Sequence, residues 1–469
     1  MRHDPHVPIA RRLAPLFAAL VLAGCATAPA PAPEPATELP TAFREGNGLW
    51  TTAAPAEAQP RGEWWKAFAD PALNQLVERA GRDNADVQVA AARLTQARAL
   101  LRAADAERAP QIGLSAGATR EARPTAGIPP STVISAGANL SWELDLFGRL
   151  AKASDAASLD AQAREALLQS TRLLVQAQVA QSYFTLRALD SERALVGDTV
   201  AAYRGTLSLV ERRLRAGDVS ELELVRVRSE VAATESEALA LERQRTRLEH
   251  ALAVLVGQPA SAFRVEPADW RAQPPLVPAG VPSTVLARRA DVAAAQNTMG
   301  AALARVGVAK AAWFPSLSLT ADGGFASSEL SELFKRSAQS WGIGALLALP
   351  IFDGGRREAG ITNAQGELDV ALARYREQVL VAFKEVEDEL AALRLLADQE
   401  QVQQQAVSAA ARATTLSETR WRNGLVSQLE LLDAQRSELR NRREALQVRS
   451  AQYQATLGLI RALGGGWAV

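Results

Sequence analysis

Residue types that could carry out nucleophilic, acid–base or metal chemistry are rare in this chain of 469 residues. It contains three histidines, His3, His6 and His250, and one cysteine, Cys25. Because a zinc site takes several His or Cys ligands, a site of that kind is excluded. A Ser-His-Asp triad would have to use His250, and no nucleophile and base stand at a sensible spacing. We therefore expect no enzymatic activity and no cofactor other than covalent lipid.

Cys25 lies at the end of a segment typical of an export signal. Arg11 and Arg12 supply positive charge, and the apolar stretch at residues 13–23 is too short to span a membrane. The sequence LAGC that ends at Cys25 is similar to a bacterial lipobox, whose cysteine is lipidated and becomes the new N-terminus. The alternative is an ordinary secretory signal with an incidental thiol. The position of the sole cysteine favours diacylglycerol and an N-acyl chain on Cys25.

The segment after Cys25 is poor in core-forming residues. Residue 26 is alanine rather than aspartate, which resembles the outer-membrane sorting pattern of such lipoproteins. Residues 26–40 consist mostly of Pro and Ala, without apolar periodicity. We predict a signal peptide over residues 1–24 and a lipidated Pro/Ala-rich tether over residues 25–60, which serves as a spacer between the lipid and the folded body.

One segment of the chain occurs twice. RAGDVSELEL, at residues 215–224, returns as RNGLVSQLEL at residues 422–431, with seven of ten positions identical. Two copies of about 205 residues are far longer than a solenoid repeat, so they indicate a duplicated domain. We predict a first repeat over residues 61–258 and a second over residues 283–469. A linker over residues 259–282, with six prolines, joins them.

Proline placement and apolar spacing predict long helices in both repeats. No proline occurs between Pro130 and Pro259, or after Pro350. Apolar residues in these regions recur at steps of three and four, with Arg245 as one break, which indicates coiled-coil packing over several heptads. We predict helical hairpins whose ends, called here the first tip and the second tip, lie at about residues 215–222 and 422–429.

The repeated residues of the tips suit a helix-to-helix turn. Gly217 and Gly424 can adopt a positive φ, which the reversal of a helical hairpin often needs. Ser220 and Ser427 suit the N-caps of the returning helices.

Two short β segments precede each long helix. We predict strands at about residues 111–121, 132–146, 315–325 and 338–350, with alternating apolar and polar residues. Such strands suit a transmembrane β-barrel or a half-buried soluble sheet equally well. Four strands cannot close a membrane barrel, because about eight is the minimum and open edges are not tolerated in lipid. A spanning chain must therefore oligomerise, with about 8 strands from two copies or 12 from three.

These features together resemble the TolC-type outer-membrane efflux channels, specifically the NodT-like lipoprotein subfamily that serves RND multidrug pumps. The resemblance covers essentially the whole mature chain and rests on the order and spacing of its motifs. These are the lipobox at Cys25, WWKAFADPALNQLV, LARRADVAAAQ, the LFGR and IFDGGRR junctions, the two RxxG turns and the terminal ALGGGW.

The resemblance implies a mixed fold, with a long antiparallel α-helical coiled-coil barrel and a membrane β-barrel. Each protomer would contribute four strands to the twelve of a homotrimer. The protein would lie in the outer membrane, among its lipids, and extend into the periplasm. A periplasmic adaptor would join it to an inner-membrane RND-type transporter, which supplies the energy.

The resemblance also assigns roles at the hairpin ends. The tips would dock the adaptor through residues repeated in both copies, namely Gly217, Val219, Ser220, Leu222, Gly424, Val426, Ser427 and Leu429. Glu430 and Asp433 fall where acidic residues ring the periplasmic aperture, so a trimer would place six carboxylates around one axis. The alternative for these two is a solvated helix start, where acids favour the helix dipole. Trp421 occupies a position where relatives usually carry tyrosine.

We expect a passive conduit for drugs or other small toxic compounds. Export of proteins or heavy-metal ions by the same fold is an alternative, because these residues do not separate the classes. A lipid-tethered periplasmic coiled coil without a pore is another alternative. The formal net charge is zero, with 52 basic and 52 acidic residues, so we expect no nucleic-acid partner.

Overall fold

The computed structural model describes residues 43–45, 62–122, 130–268, 270, 273–275, 277 and 288–465. The predicted signal peptide, Cys25 and part of the predicted linker lie outside these residues. The longer helices and the strands of the described chain are α1 (Pro71–Asp83), α2 (Ala85–Ala106), β1 (Gln111–Glu121), β2 (Ser131–Leu144), α3 (Arg149–Arg215), α4 (Glu221–Leu255), α5 (Ala290–Ala311), β3 (Ser316–Ser327), β4 (Gln339–Ala348), α6 (Arg356–Arg422) and α7 (Gln428–Ala462).

The duplication is visible in the lengths of matching helices. Helices α3 and α6 each have 67 residues. Helices α4 and α7 each have 35, and α2 and α5 each have 22. Both copies therefore use the same succession of elements: a helix, two strands, a very long helix and a returning helix.

The chain divides into two compact units, and each repeat contributes to both. The first unit contains residues 94–165 and 294–376. Its strands form one antiparallel sheet in the order β1-β2-β3-β4, and they begin and end within about two residues of the predicted positions. Phe147 stacks on Phe314 at 4.7 Å between ring centroids. The region after β2 thus packs against the region before β3.

The second unit contains the described residues within 37–93, 166–293 and 377–469. The predicted heptad positions form its core, since Val196, Val210 and Val386 are buried. An aromatic cluster adds to this core, in which the Tyr453 ring lies 4.5 Å from Phe184 and 4.8 Å from Trp270, centroid to centroid. Trp270 belongs to the predicted linker, so this residue of the linker takes part in the core.

The predicted tether is also more than a spacer. Phe43 is buried in a cluster with Val386, Leu390 and Leu459. The backbone N–H groups of the next two residues donate to the Glu387 carboxylate at 2.7 and 3.0 Å. A three-residue piece of the segment at 25–60 is thus packed onto α6 and α7.

Arg245 is another departure from the sequence pattern. The heptad spacing predicts a polar break at this position, yet the side chain is buried. Its Nε donates to Asp190 at 2.7 Å and its Nη2 donates to the Val265 carbonyl at 2.5 Å. A buried charge needs such partners, and here they fix the segment after α4 against α3.

Among the described residues, no helix combines the length and the apolar character that crossing a membrane would need.

Candidate functional site

The first tip is a tight turn between α3 and α4. Gly217 has φ 82°, and the Asp218 N–H donates to the Arg213 carbonyl at 2.9 Å. This is a Schellman-type helix end, which satisfies a terminal carbonyl and needs a left-handed residue that glycine supplies without strain. Ser220 then caps α4, because its hydroxyl accepts from the Glu223 N–H at 3.4 Å.

The second tip repeats this geometry between α6 and α7. Gly424 has φ 71°, and the Leu425 N–H donates to the Arg420 carbonyl at 2.8 Å. The Ser427 hydroxyl accepts from the Glu430 N–H at 3.4 Å. The turn geometry predicted for both glycines and the caps predicted for both serines are confirmed.

The eight residues predicted to dock a partner fall into two groups. The glycines, serines and leucines lie at the surface, with Leu222 57% and Leu429 49% exposed. Val219 and Val426 are half-buried, and Val219 packs against a core cluster that contains Tyr203. Val219 therefore holds its turn to the hairpin, whereas the leucines have surface available for another molecule.

Other apolar side chains at the tips are also exposed, although identity between the repeats does not select them. Val225 follows the first turn, and Leu425 follows Gly424 in the second. A comparison of the repeats finds only positions that are identical in both copies. Leu425 is missed because the matching residue of the first copy is Asp218. Apolar residues within a turn that is otherwise polar are the signal that could have found them.

Glu430 and Asp433 lie on the first turns of α7, and both are exposed. Residues three apart on a helix share a face, so the two residues lie on the same side of the second tip. At the matching positions of the first tip are Glu223 and Arg226. The acidic pair is thus a property of the second tip.

The two hairpins are joined by ion pairs behind the tips. Arg436 on α7 pairs with Glu230 on α4, and this bond raises the pKa of Arg436. Further along α7, the Arg443 guanidinium lies 2.6 Å from a Glu192 carboxylate oxygen and also pairs with Glu237. The second hairpin is therefore fixed to the first by charged as well as apolar contacts.

Two buried polar side chains of the hairpins, Gln428 and Tyr203, have polar atoms without partners among the described residues. Gln428, the first residue of α7, is 5% exposed. Neither its Oε1 nor its Nε2 has a hydrogen-bond partner among the described residues, and the same holds for the Tyr203 hydroxyl. Burial raises the pKa of Tyr203 to about 12. The second tip thus has a buried amide without a partner among the described residues, at the position where the first tip has the exposed Glu221.

Trp421 also takes part in the contact between the hairpins. The Arg213 guanidinium carbon, near the end of α3, lies 6.0 Å from the centroid of the Trp421 ring. This distance is at the outer limit of a cation–π contact. The two helices that lead into the tips thus meet through these side chains.

Comparison with known proteins gives these tips a context. The sequence profile described as "Outer membrane efflux protein" matches residues 76–258 and 281–465. This chain belongs to the outer membrane efflux protein family. The match covers both repeats and both tips. The predicted fold class, efflux function and outer-membrane location are confirmed at this level.

Proteins similar to this chain are named for different transported compounds. The chain is 32% identical over 458 residues to the cation efflux system protein CusC of Escherichia coli O6:H1, covering 97% of this chain and 99% of the relative. It is 35% identical over 427 residues to the pyoverdine export outer membrane protein OpmQ of Pseudomonas putida, covering 89% and 90%. The solved structure of the outer-membrane channel OprN matches with TM-score 0.84 and 30% identity, covering 92% of this chain and 99% of that one.

Proposed function

We propose that three copies of this chain form one passive conduit of a tripartite efflux system. The observation that carries the proposal is the open four-stranded sheet, whose first and last strands, β1 and β4, have no outer neighbour among the described residues. Leu114 on β1 is 87% exposed and Ile343 on β4 is 81% exposed. Side chains this apolar suit lipid, and lipid does not tolerate open sheet edges. Three protomers would pair the edges into a closed barrel of about 12 strands.

The tips supply the second part of the proposal. Leu222 and Leu429 would contact a periplasmic adaptor, which joins the channel to an RND-type transporter in the inner membrane. Their support is that both are exposed, occupy equivalent positions and follow capped turns. A small apolar group on a well-defined turn suits a partner helix better than solvent.

The cargo would be small toxic compounds that the transporter delivers. The names of the relatives support a permissive channel, because proteins of about equal similarity are named for cations and for pyoverdine. Heavy-metal ions are the second candidate, favoured by the similarity to CusC. In both cases the pump rather than the conduit would select the compound.

A lipid on Cys25 would anchor each protomer in addition to the barrel. Its support is the lipobox-like sequence that ends at the sole cysteine. Mass spectrometry of the membrane-extracted protein should find diacylglycerol and an acyl chain on Cys25, and a Cys25→Ala variant should lack both. An unmodified N-terminal peptide that begins elsewhere would contradict the anchor.

The channel itself is tested by reconstitution of the full protein in planar bilayers. We expect trimers on native gels and stepwise ion conductance from those trimers. A monomeric protein that gives no conductance would overturn the proposal.

Adaptor docking has its own test with matched leucines. Leu222→Asp and Leu429→Asp should weaken capture of the purified adaptor and lower drug resistance in cells, because each places a charge in an apolar contact. Leu239→Asp is the control, since Leu239 is exposed on α4 outside the predicted docking residues. Equal capture by all three variants would remove the tips from the docking surface.

A further inference from the structure

The positions of the charged residues in the sheet are uneven. Its four strands contain four charged residues, and three of them, Arg120, Glu121 and Glu143, lie within two residues of a strand end. The fourth, Asp322, is the seventh residue of the twelve in β3. A carboxylate in the middle of a sheet that crosses a membrane is expensive unless it faces water.

The register places Asp322 on the polar face of the sheet. Asp322 is paired with Asn139 on one side and with Gly342 on the other, and Asn139 is paired with Gly113. Directly paired residues share a face, so one row across the sheet reads Gly, Asn, Asp, Gly. The large exposed apolar residues Trp341 and Ile343 alternate with Gly342 and therefore project from the opposite face.

The two glycines provide room for the two polar side chains. A Cβ atom on Gly342 would lie 2.9 Å from the Asp322 Oδ1, and one on Gly113 would lie 2.8 Å from the Asn139 Oδ1. Such distances are too short for a real Cβ, so each polar side chain lies flat over the glycine of the next strand. Asp322 is exposed, and no basic side chain of the described chain forms a salt bridge with it.

We infer that Asp322 sets the charge preference of the conducting pathway. This inference rests on the proposed trimeric channel, in which the polar face lines the lumen. The trimer then has three carboxylates at one level, and rings of acidic side chains favour cations. Because Gly342 lets each carboxylate lie flat, the ring attracts cations without narrowing the lumen.

The test is the ratio of cation to anion permeability, obtained from reversal potentials in KCl gradients across bilayers that contain the full-length channel. Asp322→Asn keeps the shape and removes the charge, and it should lower the ratio by about threefold near 0.1 M salt. Asp322→Glu should retain the wild-type ratio. The difference should vanish near about 1 M KCl, where the screening length falls to about 3 Å.

A matched pair of glycine variants separates charge from shape. Gly342→Ala displaces the carboxylate from the sheet, so it should change the permeability ratio as well as the conductance. Gly113→Ala displaces the neutral Asn139 by a similar contact, so it should change the conductance alone. The same variants made in a Glu430→Ala, Asp433→Ala background separate the effect of the Asp322 carboxylates on the permeability ratio from the effect of the second tip.

The outcomes distinguish the inference from the proposed function. A wild-type protein without conductance would overturn the proposed channel and the inference together. A conducting Asp322→Asn channel with the wild-type ratio at about 0.1 M salt would overturn the inference alone.

Discussion

The two tips have the same backbone and different side chains. Each contains a glycine at positive φ, a helix-ending hydrogen bond that spans the turn and a serine cap at 3.4 Å. Among the matched positions that differ, Leu214 corresponds to Trp421, Glu221 to Gln428 and Arg226 to Asp433. The turn is therefore needed in both copies, whereas the side chains around it have separate roles.

The differences change burial and charge at the start of the returning helix. Glu221 is exposed at the start of its helix, where a carboxylate favours the dipole. Gln428 at the matching position is buried, and its amide has no partner in the described chain. Asp433 stands where the first tip has Arg226, so of the two tips only the second has the carboxylate pair formed by Glu430 and Asp433.

Substitution of the turn glycines should have the largest effect on local stability, and it tests whether the two turns have equivalent backbones. Gly217→Val and Gly424→Val place a β-branched residue in the left-handed region, so each should destabilise its turn by about 2 kcal/mol. Hydrogen exchange of the turn amides should then be about thirtyfold faster at both tips. Gly→Asn variants are the control, since asparagine tolerates this conformation. A large effect at one tip alone would break the equivalence.

The next effect concerns the buried amide. Gln428→Met keeps the length of the side chain and removes the unpartnered polar atoms, so it should stabilise the start of α7 by about 1–2 kcal/mol. Glu221→Met should instead destabilise the start of α4 by about 0.5 kcal/mol, because a favourable charge–dipole interaction is removed. Hydrogen exchange of the two first turns measures both. A destabilised Gln428→Met variant would indicate that the amide has a partner.

The smallest effect concerns the caps. Ser220→Ala and Ser427→Ala should each destabilise the returning helix by about 1 kcal/mol, because one N–H of the first turn loses its acceptor. Threonine variants should retain most of the stability. Hydrogen exchange at Glu223 and Glu430 reports the two caps separately. Losses that differ strongly between the tips would show that the caps are not equivalent.

Most elements of this fold can be predicted from short sequence patterns, because the interactions that form them join residues that are near in sequence. The glycine turn, the serine cap and the heptad spacing each depend on residues within about two helical turns. The strand positions follow from alternation in the same way. For that reason the helices and turns of both repeats could be predicted from the sequence alone.

Other features depend on partners that are distant in sequence. Arg245 interrupts a heptad pattern, and its role becomes clear only when Asp190 and the Val265 carbonyl are placed beside it. Phe43 lies in the predicted tether, and its partners are on α6 and α7, at the other end of the chain. The burial of Gln428 likewise depends on packing between hairpins, which no local pattern encodes.

We propose that the second tip, and not the first, forms the acidic aperture of the channel through Glu430 and Asp433. Block of single-channel current by divalent cations, applied from the tip side, tests it with two matched double variants. Glu430→Ala with Asp433→Ala should weaken the block by about tenfold or more, because the carboxylates that bind the cation are gone. Glu223→Ala with Arg226→Ala should leave the block as in the wild type. Equal block in all three channels would contradict an acidic aperture at the second tip.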